Sequence, residues 1–99
     1  MSSEVKIYFI YADNCIECKK QKEIVTRAIS DCKIKTVFYE INCETEEAIK
    51  LSIDNGIDDL PAYIIGKYSF CGKKCLSYCK LIDVIEESWK EQLESKEIN

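Results

Sequence analysis

Histidine is absent from this 99-residue sequence, and glycine, proline, methionine and tryptophan are scarce. Without histidine, Ser–His and Cys–His catalytic pairs are excluded, and any metal site would have to use thiolates and carboxylates. Three Gly and one Pro beside 46% hydrophobic residues exclude a low-complexity or disordered chain. We therefore expect one folded domain over residues 1–99, with its core from about 4 to 95.

A long hydrophobic run and an excess of positive charge are missing as well. The first apolar segment, Val5 to Ala12, contains Lys6 and follows an acidic residue, so it fits neither a signal peptide nor a membrane span. The net charge is −4 and the lysines are spread among acidic residues, which is unlike a nucleic-acid-binding surface. We expect a cytoplasmic monomer with neither a nucleic-acid nor a membrane partner.

Cysteine is the residue present in excess. Seven occur in the chain, at positions 15, 18, 32, 43, 71, 75 and 79. An odd number cannot pair completely, and in a reducing compartment closely spaced cysteines favour redox catalysis or metal binding over a structural disulfide framework. Cys15 and Cys18 follow a two-faced apolar strand, at the start of a helix predicted over about residues 15–31.

The spacing of Cys15 and Cys18 suits a redox-active pair. Residues three apart on a helix share a face, within the Cα separation of ~4.4–6.8 Å that a disulfide tolerates. Cys15 would face the unpaired backbone N–H groups of the helix start, which lower the pKa of a thiol. Cys18, one turn deeper, should be less exposed. This indicates Cys15 as the nucleophile and Cys18 as the resolving thiol, although half of a zinc site has the same spacing.

Hydrophobic patterns predict the remaining elements. A strand over residues 33–42 precedes a helix that ends near Gly56, and a hairpin of "PAYIIG" and "YSFCG" precedes a helix from near Ser77 to about Glu94. Asp13 and Asn14 offer side chains to cap the first helix. Strand–helix–strand makes a parallel pair and the hairpin is antiparallel. The predicted fold is therefore α/β, in the order βαβαββα, with a four-stranded mixed sheet and helices on both faces.

Two motifs together resemble the thioredoxin-like superfamily, in its small glutaredoxin- or thioredoxin-type form. They are "NCIEC" after the first strand and Leu60-Pro61 leading into "AYIIG". The resemblance implies a thioredoxin-like fold in which the Leu60–Pro61 bond is cis, lies across from Cys15 and binds substrate through its backbone. It also implies a thiol–disulfide oxidoreductase that reduces protein or low-molecular-weight disulfides, draws electrons from a reductase or a thiol, and needs no cofactor.

The sequence departs from that superfamily at three places. Ile16-Glu17 separates the cysteines where thioredoxins have Gly-Pro and glutaredoxins Pro-Tyr, and the charge of Glu17 favours a reducing couple. Phe9 stands where thioredoxins bury an acidic residue, so we expect that proton-transfer route to be absent. "FCGKKC" replaces the Gly-Gly signature with which glutaredoxins bind glutathione, so glutathione is not indicated as the electron donor.

Five further cysteines leave other functions open. Cys32 is predicted to fill the core. Cys43 is predicted to lie partly buried at the turn after the second strand, with a helix start that favours its thiolate as the alternative. The other three recur every four residues around the hairpin exit, near lysines that should favour thiolates: Cys71, Cys75 and Cys79, with Lys73, Lys74 and Lys80. They could form a Cys71–Cys75 disulfide or second redox pair, bind zinc or an iron–sulfur cluster, or be incidental. The alternative function is a thioredoxin-fold module that binds metal or a partner without catalysis.

Overall fold

A computed structural model describes residues 4–97, and for residues 94–97 the backbone alone. Within this range, four strands and three α-helices follow the predicted order. They are β1 (Val5–Tyr11), α1 (Ile16–Asp31), β2 (Thr36–Asn42), α2 (Glu46–Asn55), β3 (Ala62–Ile65), β4 (Tyr68–Cys71) and α3 (Tyr78–Glu97), with a short 3₁₀ helix at Gly72–Lys74. None of these helices is long and apolar enough to cross a membrane.

The strands form one mixed sheet in the order β2-β1-β3-β4. β1 pairs in parallel with β2 and antiparallel with β3, and β3 pairs antiparallel with β4. A strand with neighbours on both sides and helices on both faces is enclosed, which explains why β1 is apolar on both of its faces. The predicted fold class is confirmed.

Each face of the sheet has its own hydrophobic core. α1 and α3 cover the face with the larger cluster, here called the main core: Val5, Ile7, Phe9, Val25, Ala28, Tyr63, Ile65, Leu81 and Ile85. α2 covers the other face, with a smaller cluster here called the α2-side core: Ile10, Ile41, Ala48 and Ala62. Full burial of a Leu, Ile or Val side chain contributes roughly 1.5–3 kcal/mol. The main core therefore supplies most of the hydrophobic stabilisation.

α2 is well capped although it buries little. Thr45 caps its start by accepting the N–H of Ala48 at 3.2 Å, and Gly56 ends it at a φ of 64°, the left-handed conformation that favours glycine. Ala48 is its buried residue, whereas Ile49 and Ile53 are 51% and 75% exposed. α2 thus meets the sheet through Ala48 and the partly buried Leu51, while Ile49 and Ile53 point to solvent.

Strand register brings the two sequence motifs to one end of the sheet. In the antiparallel β1–β3 pair, Ile10 lies opposite Ala62. Pro61, one residue before Ala62, therefore lies beside the end of β1, and the chain reaches Cys15 four residues after Tyr11.

Candidate active site

The start of α1 is built around the sulfur of Cys15. Cys15 is the N-cap residue, with extended backbone, and its Sγ accepts the backbone N–H of Cys18 at 3.1 Å. The sulfur thus takes the capping role predicted for Asp13 or Asn14, and Asn14 instead turns the chain with a φ of 61°. A backbone N–H directed at Cys15 favours its thiolate once the protein is reduced.

Cys15 and Cys18 are joined as a disulfide, with their Cα atoms 5.2 Å apart. Cys15 is partly exposed, whereas Cys18 is 3% exposed. The predicted difference in exposure is therefore confirmed. Ile16, between the two, is 69% exposed. Cys15 is thus the cysteine of the pair that a second molecule can reach more readily.

The segment around Pro61 faces the first turn of α1 across a groove. The Leu60–Pro61 peptide bond is cis, and the carbonyl of Pro61 accepts the N–H of Gly72 at 2.9 Å. The N–H of Leu60 donates to Oδ1 of Asp59 at 2.8 Å. The groove has a volume of about 350 Å³ and is lined by Glu17, Gln21, Asp59, Leu60, Pro61, Gly72 and Lys73. The structure therefore brings the helix turn of the cysteine motif and the proline segment together.

A second cavity, of about 480 Å³, adjoins Cys18 on the other side of α1. It is lined by Phe9, Tyr11, Ala12, Asp13, Asn14, Cys18, Lys19, Lys22 and Glu40. Nζ of Lys22 lies 2.9 Å from Oε2 of Glu40, which joins α1 to β2 along the wall of this cavity. Phe9, from β1, is 1% exposed there. β1 therefore presents an apolar side chain at the position where the superfamily that the sequence resembles buries an acidic residue.

Cys75 is partly buried and packs against the main core, just after the 3₁₀ helix. Its thiol donates to the carbonyl of Pro61 at 3.4 Å, and the hydroxyl of Tyr63 hydrogen bonds to its sulfur. Tyr63 in turn accepts the N–H of Leu76. Burial raises the pKa of Cys75 to about 11, against a smaller lowering by Tyr63. The expectation that nearby lysines favour a thiolate is wrong here because burial outweighs them.

Cys71 and Cys79 do not join Cys75 in one cluster. Cys71 packs against the α2-side core, with its Sγ 3.7 Å from Oδ1 of Asp58, and Cys79 is exposed on α3. All three thiols are free. Among the described residues, no three cysteine, aspartate or glutamate side chains lie close enough to hold a metal ion. This part of the chain thus offers no ligand set for the metal-binding alternative.

Cys32 and Cys43 lie away from the disulfide motif. Cys32 ends α1 and packs against the main core, which confirms its predicted role as core filler. Cys43 follows β2 in a turn, where its N–H donates to the carbonyl of Tyr11 at 2.8 Å. Its predicted partial burial at this turn is confirmed. The alternative place at a helix start is wrong, because α2 begins at Glu46 with Thr45 as its cap.

Three residues of this region escaped the sequence analysis. Lys22 lies four residues after Cys18, on the same helix face, and Glu40 is a charged residue within an otherwise uncharged strand. Both are weak signals that gain meaning only when α1 and β2 are seen together. Tyr63 carries no local signal at all, because its hydroxyl contacts depend on the loop at residues 75–76.

Comparison with known proteins identifies the fold. No protein-family model matches the sequence, and no curated protein matches it. Thioredoxin-2 of the malaria parasite, described as a component of the protein secretion machinery, matches with a TM-score of 0.64 and 18% identity over 88% of this chain and 85% of its own. A variant thioredoxin from Halobacterium salinarum matches with a TM-score of 0.65 and 19% identity, over 85% and 74%.

A thioredoxin-like protein from Clostridium perfringens matches with a TM-score of 0.66 and 15% identity, over 88% of this chain and 72% of its own. At such low identities, agreement of this kind establishes the architecture and not the activity. The chain therefore has the thioredoxin-like fold, and the resemblance noticed in its sequence is confirmed at the level of the fold.

Proposed function

We propose that the protein is a dithiol–disulfide oxidoreductase that reduces disulfides of proteins or low-molecular-weight compounds. The observation that carries the proposal is the Cys15–Cys18 pair at the start of α1, with Cys15 partly exposed and Cys18 buried. The groove lined by Glu17, within the cysteine motif, and by Pro61 would supply a place for a substrate. The thioredoxin-like fold is a framework on which such chemistry is common, and it supports the proposal by analogy.

The reaction follows from the unequal positions of the two sulfurs. In the reduced protein, the thiolate of Cys15 attacks a substrate disulfide, forms a mixed disulfide and releases the first substrate thiol. Cys18 then attacks the Cys15 sulfur, which forms the Cys15–Cys18 bond and releases the second thiol. Two electrons pass to the substrate, and a reductase or an external thiol returns the protein to the dithiol form.

In this proposal the substrate lies in extended form along Leu60 and Pro61. The N–H of Leu60 contacts the carboxylate of its neighbour Asp59, at the exposed side of the segment. A substrate carbonyl would take the place of that carboxylate and form a strand-like hydrogen bond with Leu60. This arrangement holds the substrate by its backbone and so tolerates a range of side chains.

A Cys18→Ser variant tests the proposed function. It keeps the nucleophile but removes the resolving thiol, so it should trap a disulfide substrate on Cys15 as an adduct that mass spectrometry detects and a reductant releases. The matched control carries Cys15→Ser as well and should trap nothing at this position. If folded Cys18→Ser protein forms no adduct through Cys15, the proposed function is wrong.

A further inference from the structure

Gln21 is a side chain of the groove beside Pro61 whose hydrogen bonding is incomplete. Among the side chains that the structure describes, its Oε1 is the one buried nitrogen or oxygen atom that lacks a hydrogen-bond partner. An acceptor that is buried without a donor costs free energy of folding, and native proteins contain few such atoms. A ligand that supplies the missing donor would recover this cost. Gln21 therefore marks a place where a donor group of another molecule would bind.

The position of Gln21 on α1 puts it opposite the proline segment. It follows Cys18 by three residues and Glu17 by four, so it lies on the same helix face. It lines the groove of about 350 Å³ together with Leu60 and Pro61. In the function proposed above, on which this inference rests, an extended substrate occupies this groove. Such a substrate would contact the proline segment on one side and Gln21 on the other.

An extended substrate has polar backbone groups along both of its edges. One edge faces the proline segment, where Leu60 has an N–H to donate and the carbonyl of Pro61 already accepts the N–H of Gly72. The N–H groups along the other edge would face α1. They need an acceptor on that side of the groove, since a backbone N–H that loses water without gaining a partner weakens binding.

Gln21 is the acceptor on the α1 side that is not already in use. The other candidate, Glu17, is 71% exposed and lies 3.5 Å from Nζ of Lys20. Lys73, which also lines the groove, has donors only. A glutamine amide has an oxygen that accepts, and its last side-chain torsion turns readily. The amide of Gln21 can therefore turn its oxygen from the buried position into the groove.

We propose that Gln21 accepts a hydrogen bond from a backbone N–H of the substrate, and that it thereby selects polypeptide disulfides over small disulfides without amide groups. Substrate binding turns the amide, and the oxygen that had no partner gains a donor. One such hydrogen bond corresponds to roughly tenfold in a rate or binding constant. Because the contact is with backbone, Gln21 selects a class of compound and not an amino-acid sequence.

Two disulfide probes test this selectivity. One is the disulfide-linked dimer of the peptide Gly-Gly-Cys-Gly-Gly, acetylated and amidated at its ends, and the other is hydroxyethyl disulfide, which has no amide group. Each is mixed in excess with the reduced full-length chain, and chromatography after acid quenching measures the released thiol. The rate of a Cys15→Ser sample, which comes from the other thiols, is subtracted. Gln21→Met should lower the second-order rate constant for the peptide by about tenfold and leave that for hydroxyethyl disulfide unchanged.

N-methylated peptides separate a direct contact from a structural role of Gln21. Replacing one glycine of the probe by N-methylglycine removes one backbone N–H. In the unchanged chain, one of these replacements should lower the rate by about tenfold, whereas in Gln21→Met the same replacement should have no further effect. Such non-additivity indicates that the two groups interact. Gln21→Glu, which keeps an acceptor at this position, should retain part of the rate with the peptide.

Gln92→Met is the matched control, since it makes the same change at another partly buried glutamine, on α3 and outside this groove. An undiminished peptide rate in Gln21→Met would overturn the inference. So would an equal loss with hydroxyethyl disulfide, an equal loss in Gln92→Met, or a penalty of N-methylation that persists in Gln21→Met. In these cases the proposed function stands. If the unchanged chain releases no more thiol than Cys15→Ser from either probe, the proposed function itself fails, and this inference with it.

Discussion

Cys15 and Cys75 belong to the two cysteine-rich regions of the chain, and their sulfurs take opposite parts in hydrogen bonds. Cys15 is partly exposed at a helix start, where its sulfur accepts a backbone N–H. Cys75 is also partly buried, but its thiol donates to the carbonyl of Pro61, which requires the protonated form. The comparison shows that lysines nearby in sequence do not decide the state of a thiol. Burial and the direction of its hydrogen bonds do.

The two cysteine-rich regions also differ in the contacts that they make with the proline segment. The loop after β4 fixes the position of the proline segment, because Gly72 and Cys75 both donate to the carbonyl of Pro61. The start of α1 contributes Glu17 to the groove that this segment lines. One region thus carries the disulfide pair, and the other holds the backbone of the proline segment.

The largest expected difference concerns alkylation of the reduced protein. A pKa of about 11 instead of 9.0 leaves Cys75 with about a hundredfold smaller thiolate fraction near neutral pH. Iodoacetamide should therefore label Cys15 first and Cys75 at least a hundredfold more slowly than an ordinary thiol. Peptide mass spectrometry over time measures each site, and the exposed Cys79 is the internal reference. If Cys75 were labelled as fast as Cys79, the predicted difference between the thiols of Cys15 and Cys75 would be wrong.

A smaller effect is expected from Tyr63→Phe. Tyr63 is fully buried, and its hydroxyl accepts the N–H of Leu76 and hydrogen bonds to Cys75. Its removal leaves buried polar groups without partners, which should lower the free energy of unfolding by about 1–3 kcal/mol. Urea denaturation measures this change. Tyr39→Phe is the control, since Tyr39 is 40% exposed and should change stability by less than about 0.5 kcal/mol.

The alkaline pH dependence of stability should show the smallest effect. The folded state raises the pKa of Cys75 from 9.0 to about 11, so its stabilising contribution is complete below about pH 9 and is lost as the pH rises through 11. Burial also raises the pKa of Tyr63, which acts in the same direction at higher pH.

Cys75→Ala should therefore flatten the alkaline decline, as seen in urea titrations across this pH range. Cys79→Ala, which changes an exposed thiol, should leave the decline as it is. Equal slopes for the unchanged chain and Cys75→Ala would show that the thiol of Cys75 titrates no differently after unfolding, contrary to the raised pKa expected from its partial burial.

The sequence by itself determined the order of the elements, the central place of β1 and the arrangement of Cys15 and Cys18. These features depend on periodicity and on spacings of a few residues, which the geometry of helices and strands converts directly into positions. The capping group of α1 is the local feature that was predicted wrongly. Only the side chains of Asp13 and Asn14 were considered as caps, and the thiol of Cys15 was not.

Only the tertiary structure decided the protonation of Cys75, the contacts of Tyr63 and the pairing of Lys22 with Glu40. Each depends on residues far apart in sequence, brought together by the β1–β2 register or by the packing of a loop against the main core. The pKa of a thiol responds to burial and to partners within a few ångströms. Such distances are set when helices and sheet pack together, and no local pattern of residues encodes them.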